Sequence, residues 1–156
     1  MTKEFLLKRT NAADIDFQML ITHLDHELWN ELNEDQATYD QYNKVPDLNT
    51  VIIAYKSKQA VACGCFKEIV PGTVEIKRMF VEKEWRGKGL SKIMLNGLEQ
   101  WAVEKGYVYA ILETSIHFAT ARRLYETSGY IIIPNYPPYE GLQESVCMKK
   151  QLKHLL

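Results

Sequence analysis

The residues with the plainest chemical meaning form one short run, Arg86-Gly87-Lys88-Gly89-Leu90-Ser91. Glycines at alternate positions let the backbone approach a ligand closely and turn successive N–H groups to one side. The run lies where a strand pattern gives way to a helix pattern. The unsatisfied N–H groups and the positive dipole end of that helix therefore face the same point. Arg86 and Lys88 add positive charge. The chemistry predicted is an anion site for a phosphate or pyrophosphate. A P-loop is excluded because Gly89 follows Lys88 where Ser or Thr is needed. A dinucleotide fingerprint is excluded because Lys92 stands at its third glycine. The pattern that fits is Arg-x-x-Gly-x-Gly/Ala, with Ser91 at the last small position. The competing reading is a glycine turn with an exposed basic rim.

Other reactive residue types are less patterned. Cys63 and Cys65 would share a face of a strand, and neither they nor Cys147 has partners at zinc-site spacing. Buried, reduced thiols and no bound metal are expected. His23 and His26 lie three apart with no carboxylate pattern to make a metal pair, so they read as surface residues. Glu27, Glu31, Glu34, Asp35 and Asp40 form an acidic stretch, either a solvated helix face or an attraction for a cationic amine. Glu75 falls in a strand, where alternation would put it on one face with Lys77, Met79 and Val81. A half-buried carboxylate there could act as a base, or pair with Lys77 or Arg78. His117 reads as a loop residue. Tyr136 and Tyr139 either wall a pocket or pack a turn.

These residues need elements to hold them. Strand patterns cover Glu4–Arg9, Thr50–Tyr55, Ala60–Ile69, Thr73–Val81, Tyr107–Thr114, Tyr130–Ile133 and Ser145–Leu152. Phe17, Leu20, Ile21, Leu24 and Leu28 recur at helical spacing after Asp14, and a weaker helix is predicted over Glu34–Tyr42. Leu90, Ile93, Met94, Gly97, Leu98 and Trp101 mark a third helix stopped by Gly106, and Ala119–Ser128 a fourth stopped by Gly129. Lys56–Gln59 and Pro71-Gly72 read as turns, and Asn135–Gly141 as a loop. The order β-α-α-β-β-β-α-β-α-β-β predicts a mixed α/β (α+β) fold. Its first half is antiparallel, and a strand–helix–strand crossover follows.

The chain has 156 residues, which fits a single domain over 1–156. Lys and Arg total 19 against 20 for Asp and Glu, so a strongly basic nucleic-acid binder is not expected. The N-terminal residues carry charge at once, and no apolar run approaches the ~20 residues of a membrane span. A cytoplasmic protein is the expectation.

With these motifs in place, the sequence resembles the GNAT superfamily of acetyl-CoA-dependent N-acetyltransferases, in a small bacterial branch. The strand Glu75-Ile76-Lys77-Arg78-Met79-Phe80-Val81 precedes the glycine turn at the family's spacing. Ala121-Arg122-Arg123-Leu124-Tyr125-Glu126-Thr127-Ser128-Gly129-Tyr130 resembles the family's Ala-x-x-Leu-Tyr-Glu-x-x-Gly-Phe/Tyr segment. Leu112-Glu113-Thr114 and the tail around Tyr139 and Ser145–Lys149 also match. The matches cover about Val74 to Lys150, half the chain.

The resemblance implies a mostly antiparallel sheet of six to seven strands with about four helices. It implies transfer of acetyl from acetyl-CoA to a primary amine of a small molecule or peptide, by direct attack in a ternary complex. The implied cofactor-binding residues are Met79, Phe80, Val81, Arg86, Gly87, Lys88, Gly89, Leu90, Ser91, Thr114 and Tyr125. The fourth strand is implied to bulge and splay from the fifth, so that backbone at Met79 and Val81 pairs with the pantetheine arm and Met79 N–H meets the oxyanion. Tyr125 is implied as the acid for the leaving thiolate, and Glu75 as a base acting directly or through water. Phe118 stands where many members carry Asn, which puts that contact in question. A different acyl-CoA donor and a non-catalytic acyl-CoA sensor are the alternatives. A homodimer is known in the family and is carried by analogy alone.

Overall fold

The computed structural model describes residues 4–32 and 48–153. The helix predicted over Glu34–Tyr42, and Glu34, Asp35 and Asp40 with it, lie outside the described residues. Seven strands form one sheet: β1 (Leu6–Thr10), β2 (Val51–Lys56), β3 (Gln59–Val70), β4 (Thr73–Val81), β5 (Tyr109–Ser115), β6 (Ile131–Ile133) and β7 (Ser145–Gln151). Three α-helices are described, α1 (Ile15–Leu32), α2 (Leu90–Glu104) and α3 (Ala119–Thr127), with a short 3-10 turn at Lys83–Trp85.

The sheet runs β1-β2-β3-β4-β5-β7-β6. Every neighbouring pair is antiparallel except β4–β5, joined by the α2 crossover that parallel pairing requires. The last strand enters between β5 and β6, leaving the short β6 at the edge.

Two cores follow from strand alternation. On one face, α1 lays Phe17, Leu20 and Leu24 against Val51, Ile53, Cys63, Cys65 and Phe80. On the other, α2 lays Leu90, Met94, Leu95, Leu98 and Ala102 against Ile52, Val61, Val74 and Ile76, with Tyr125 and Tyr130 in the same cluster. Cys63 and Cys65 do share the α1 face, and all three cysteines are free and buried. Burial holds their thiols protonated.

Two departures from regular pairing build the site. Cys63 pairs with Phe80 and Cys65 with Lys77, so β4 carries one residue more than β3 between those pairs. The bulge falls at Arg78, whose φ of 58° is left-handed. Gly64 sits opposite it, and a Cβ there would lie 2.7 Å from Met79 Sδ and 2.9 Å from Leu98 Cδ1. A glycine is what lets Met79 fold over β3.

The bulge also corrects the expected face of β4. Glu75, Lys77 and Phe80 point to the α1 side, whereas Met79 and Val81 pack with the α2 core. One extra residue changes the phase of a period-two pattern, so the four positions 75, 77, 79 and 81 cannot share a face. The second departure is that β4 pairs with β5 only over Thr73–Glu75. From Ile76 onward the two strands separate.

Candidate active site

A cleft of about 800 Å³ occupies the gap where β4 and β5 part. Its walls are Glu75–Val81 from β4, Glu113, Thr114 and Ser115 from β5, α3 with the residues leading into it, and part of α1.

The phosphate-type turn forms one end. Gly87 and Gly89 have φ of 79° and 78°, and a Cβ at either would meet nothing within 4 Å. Their requirement is therefore conformational, and no described residue crowds the turn. Gly89 is the N-cap of α2 and no side chain caps it, so the helix's first N–H groups face that space. Arg86, Gly87, Gly89, Leu90 and Ser91 line the cleft. Lys88 is exposed and does not; Lys92, one helical turn on, lines it instead. The difference arises because the turn points Lys88 outward before α2 begins. Leu90 contributes backbone only, its side chain being 1% exposed in the core.

Arg86 is not idle. Its Nε donates to Val81 O at 2.9 Å, and its Nη2 donates to both carboxylate oxygens of Glu27 on α1, each at 2.8 Å. The acidic stretch thus contributes Glu27 as a partner of the basic turn. His23 pairs with Glu82 at 2.6 Å on the same stretch of α1, while His117 pairs with Glu144.

The other end is a buried polar group on the α1 side of the sheet. Glu75 Oε1 lies 3.4 Å from Lys77 Nζ, and the Tyr136 hydroxyl donates to Glu75 Oε2 at 2.7 Å. Lys77 Nζ donates to the Tyr139 hydroxyl at 3.4 Å. Burial draws the Lys77 pKa down, against the pull of Glu75. Tyr136 and Tyr139 pack edge-to-face, 5.5 Å between centroids, so the loop is both a packed turn and, through Tyr139, a wall.

Glu113 was not singled out by type or spacing. It projects from β5 into the same group and accepts a hydrogen bond from Ser145 Oγ at 2.7 Å. Burial pushes its carboxyl up to about 7, opposed by Ser145 and supported by the nearby Glu75 charge. One signal was present in the sequence: a lone carboxylate inside the apolar run Tyr109-Ala110-Ile111-Leu112-Glu113-Thr114. Tyr125, on α3, lies across the cleft and is buried, stacked edge-to-face on Tyr130 at 5.8 Å. Burial, then the Glu113 charge, raises its hydroxyl to about 12. Thr114 is buried and lines the cleft, as does Phe118, which precedes α3 without a side-chain cap. Among the described residues no cluster of His, Cys, Asp and Glu is placed to hold a metal ion, and no helix is long and apolar enough to cross a membrane.

A bulged strand parting from its parallel neighbour, with a glycine turn opening a helix at its end, is the architecture of the acyl-CoA acyltransferases. The family model described as acetyltransferase (GNAT) matches residues 16–130, and the chain belongs to that family. It is 32% identical over 108 residues to an IAA acetyltransferase of Azospirillum brasilense, covering 69% of this chain and 70% of that one. It is also 32% identical over 101 residues to an uncharacterized N-acetyltransferase of Bacillus subtilis, covering 64% and 67%. Among solved structures, a candidate acyl-CoA N-acyltransferase from Klebsiella pneumoniae superposes with TM-score 0.80 at 26% identity, covering 97% of this chain and 100% of that one. The PaiA N-acetyltransferase of Thermoplasma acidophilum, solved with coenzyme A, shares the fold at TM-score 0.67 and 14% identity, covering 97% and 99%.

Proposed function

We propose that the protein is an N-acetyltransferase that moves the acetyl group of acetyl-CoA to a primary amine of a small molecule or peptide, by direct attack in a ternary complex within one domain. The observation that carries this reading is the cleft between β4 and β5. It joins the glycine turn at one end to the half-buried Glu113 and the buried Tyr125 deeper in. Acetyl-CoA supplies an acyl thioester open to attack by an amine.

This chain's residues supply the rest. The N–H groups of Gly87, Lys88, Gly89 and Ser91 suit a pyrophosphate, with Arg86 and Lys92 adding charge. The unpaired edge of β4 at Met79, Phe80 and Val81 can pair with an extended amide-bearing arm as a strand would, with Thr114 opposite. The Met79 N–H, beside the bulge at Arg78, serves as the oxyanion donor. An ammonium must lose its proton before it attacks. A carboxyl at about 7 is close to half ionised at neutral pH and accepts that proton, which favours Glu113 as the base. Glu75 is tied to Lys77 and Tyr136 and acts by positioning a water or the amine. Tyr125, raised to about 12, stays protonated and can donate to a leaving thiolate.

Titration calorimetry with acetyl-CoA, followed by thiol release across an amine panel, tests the reading. Binding with amine-dependent thiol release is the expected result. Binding with no release from any amine would leave a sensor, and release faster with another acyl-CoA would change the donor.

A further inference from the structure

The acceptor end of the cleft holds more charge than acetyl transfer uses. Adjacent residues of a strand normally point to opposite faces, but the β4 bulge sets Lys77 and Arg78 together on the α1 side. Both line the cleft, with side chains 4% and 5% exposed. Arg78 Nη2 donates to Asp25 Oδ1 of α1 at 2.5 Å, and that carboxylate is itself 46% exposed. Arg78 Nε is buried and has no hydrogen-bond partner among the described residues. A guanidinium carries five donors in a rigid fork and stays charged at any physiological pH. Two buried cations beside the landing place of an ammonium would repel it. Among the described residues, Glu75 lies against Lys77, whereas Arg78 is paired only with the half-exposed Asp25. The repulsion is relieved if the acceptor brings its own anion.

Building on the N-acetyltransferase reading, we propose that the acceptor is a small amino acid, an amine with a carboxylate beside it, and that Arg78 takes the carboxylate while Lys77 supports it. A carboxylate matches the planar fork of the guanidinium. A dianionic phosphate fits less well, because Glu75 and Glu113 share the same chamber. Docking this way puts the amine toward the two glutamates and the carboxylate toward the two cations.

The test is steady-state thiol release with acetyl-CoA, using amino acids beside their decarboxylated counterparts (phenylalanine with phenethylamine, leucine with isoamylamine) and phosphoethanolamine as a phosphate control. The wild-type protein should favour at least one amino acid over its matched amine by about tenfold or more in kcat/KM, the scale of one charged hydrogen bond. Arg78→Gln should bring that ratio to within about threefold while acetyl-CoA affinity by calorimetry is unchanged, and Arg78→Lys should keep part of the preference. A wild-type preference for the decarboxylated amines or for phosphoethanolamine would overturn the proposal. So would a ratio that survives in Arg78→Gln, or acetyl-CoA binding with no amino acid turned over. Failure to bind acetyl-CoA at all would overturn the N-acetyltransferase reading itself.

Discussion

Glu113 and Tyr125 face one cleft with opposite protonation preferences, and the burial that sets one sets the other. Burial raises the carboxyl to about 7 and the phenol to about 12, so across neutral pH one can accept a proton and the other can give one. In the proposed reaction the base works only when ionised. The kcat/KM for an amine should therefore climb with pH through about 7, and Glu113→Gln should abolish that limb and lower kcat by about a hundredfold. The same ionisation opposes folding. The unfolded carboxyl loses its proton near its ordinary value while the folded one holds it, so stability should fall as pH rises toward about 7 and level off above, a slope absent in Glu113→Gln. Tyr125→Phe should reduce kcat by about tenfold or more with acetyl-CoA affinity unchanged; kcat equal to wild type would remove its role as acid. Tyr125 was legible because its segment carries a recognisable spacing. Glu113 left only the trace of a lone carboxylate in an apolar run, because its distinction is burial beside Glu75, Lys77 and Ser145, none of which is near it in sequence. Lys88 is divided: its backbone N–H belongs to the glycine turn, while its side chain is exposed and does not line the cleft.

At the scale of elements, strand and helix periods gave the order of the described fold with boundaries shifted by a residue or two, as at β5 and β6. The bulge in β4 is different. It is a mismatch between two strands, so no period within one strand reveals it, and the expected face of Met79 was wrong on that account. Gly64 is the visible trace, since a mid-strand glycine marks a close approach. Gly64→Ala would force Cβ into Met79 and Leu98 and should destabilise the protein by about 1–3 kcal/mol, read as a lower urea midpoint with an unchanged slope. Helix α1 is clipped to β4 and the glycine turn through Asp25–Arg78 and Glu27–Arg86. Glu27 thus takes a cation that a pyrophosphate would use. The pair is well exposed, which limits its worth to about 0.2–1 kcal/mol. Glu27→Gln should accordingly tighten acetyl-CoA about two- to fivefold by calorimetry, and weaker binding would instead mean that Glu27 holds Arg86 in its working position.

Across the whole molecule, the sheet divides two tasks between two faces. The α2 face carries the cradle and most of the apolar core, while the α1 face carries the charged chamber of Glu75, Lys77, Arg78 and Glu113. The gap between β4 and β5 lets the two communicate, because the parallel pair ends at Glu75. The class of sheet was readable from the order of elements. The insertion of β7 between β5 and β6 was not, since strand order is decided by pairing between distant segments. That insertion brings Ser145 and the Tyr136–Tyr139 loop over Glu113 and Lys77, and so completes the chamber. The near balance of 19 basic and 20 acidic residues conceals this local arrangement. In the proposed reaction an amine and acetyl-CoA meet in this cleft and one acetyl group passes from the thioester to the amine. Its most direct test is incubation with acetyl-CoA labelled in the acetyl group and a panel of amines, with mass spectrometry of the products. A labelled N-acetyl amine formed one-for-one with free CoA, dependent on Glu113 and Tyr125, is expected. Acetyl-CoA bound with no labelled amine, or label transferred at the same rate by Glu113→Gln and Tyr125→Phe, would contradict it.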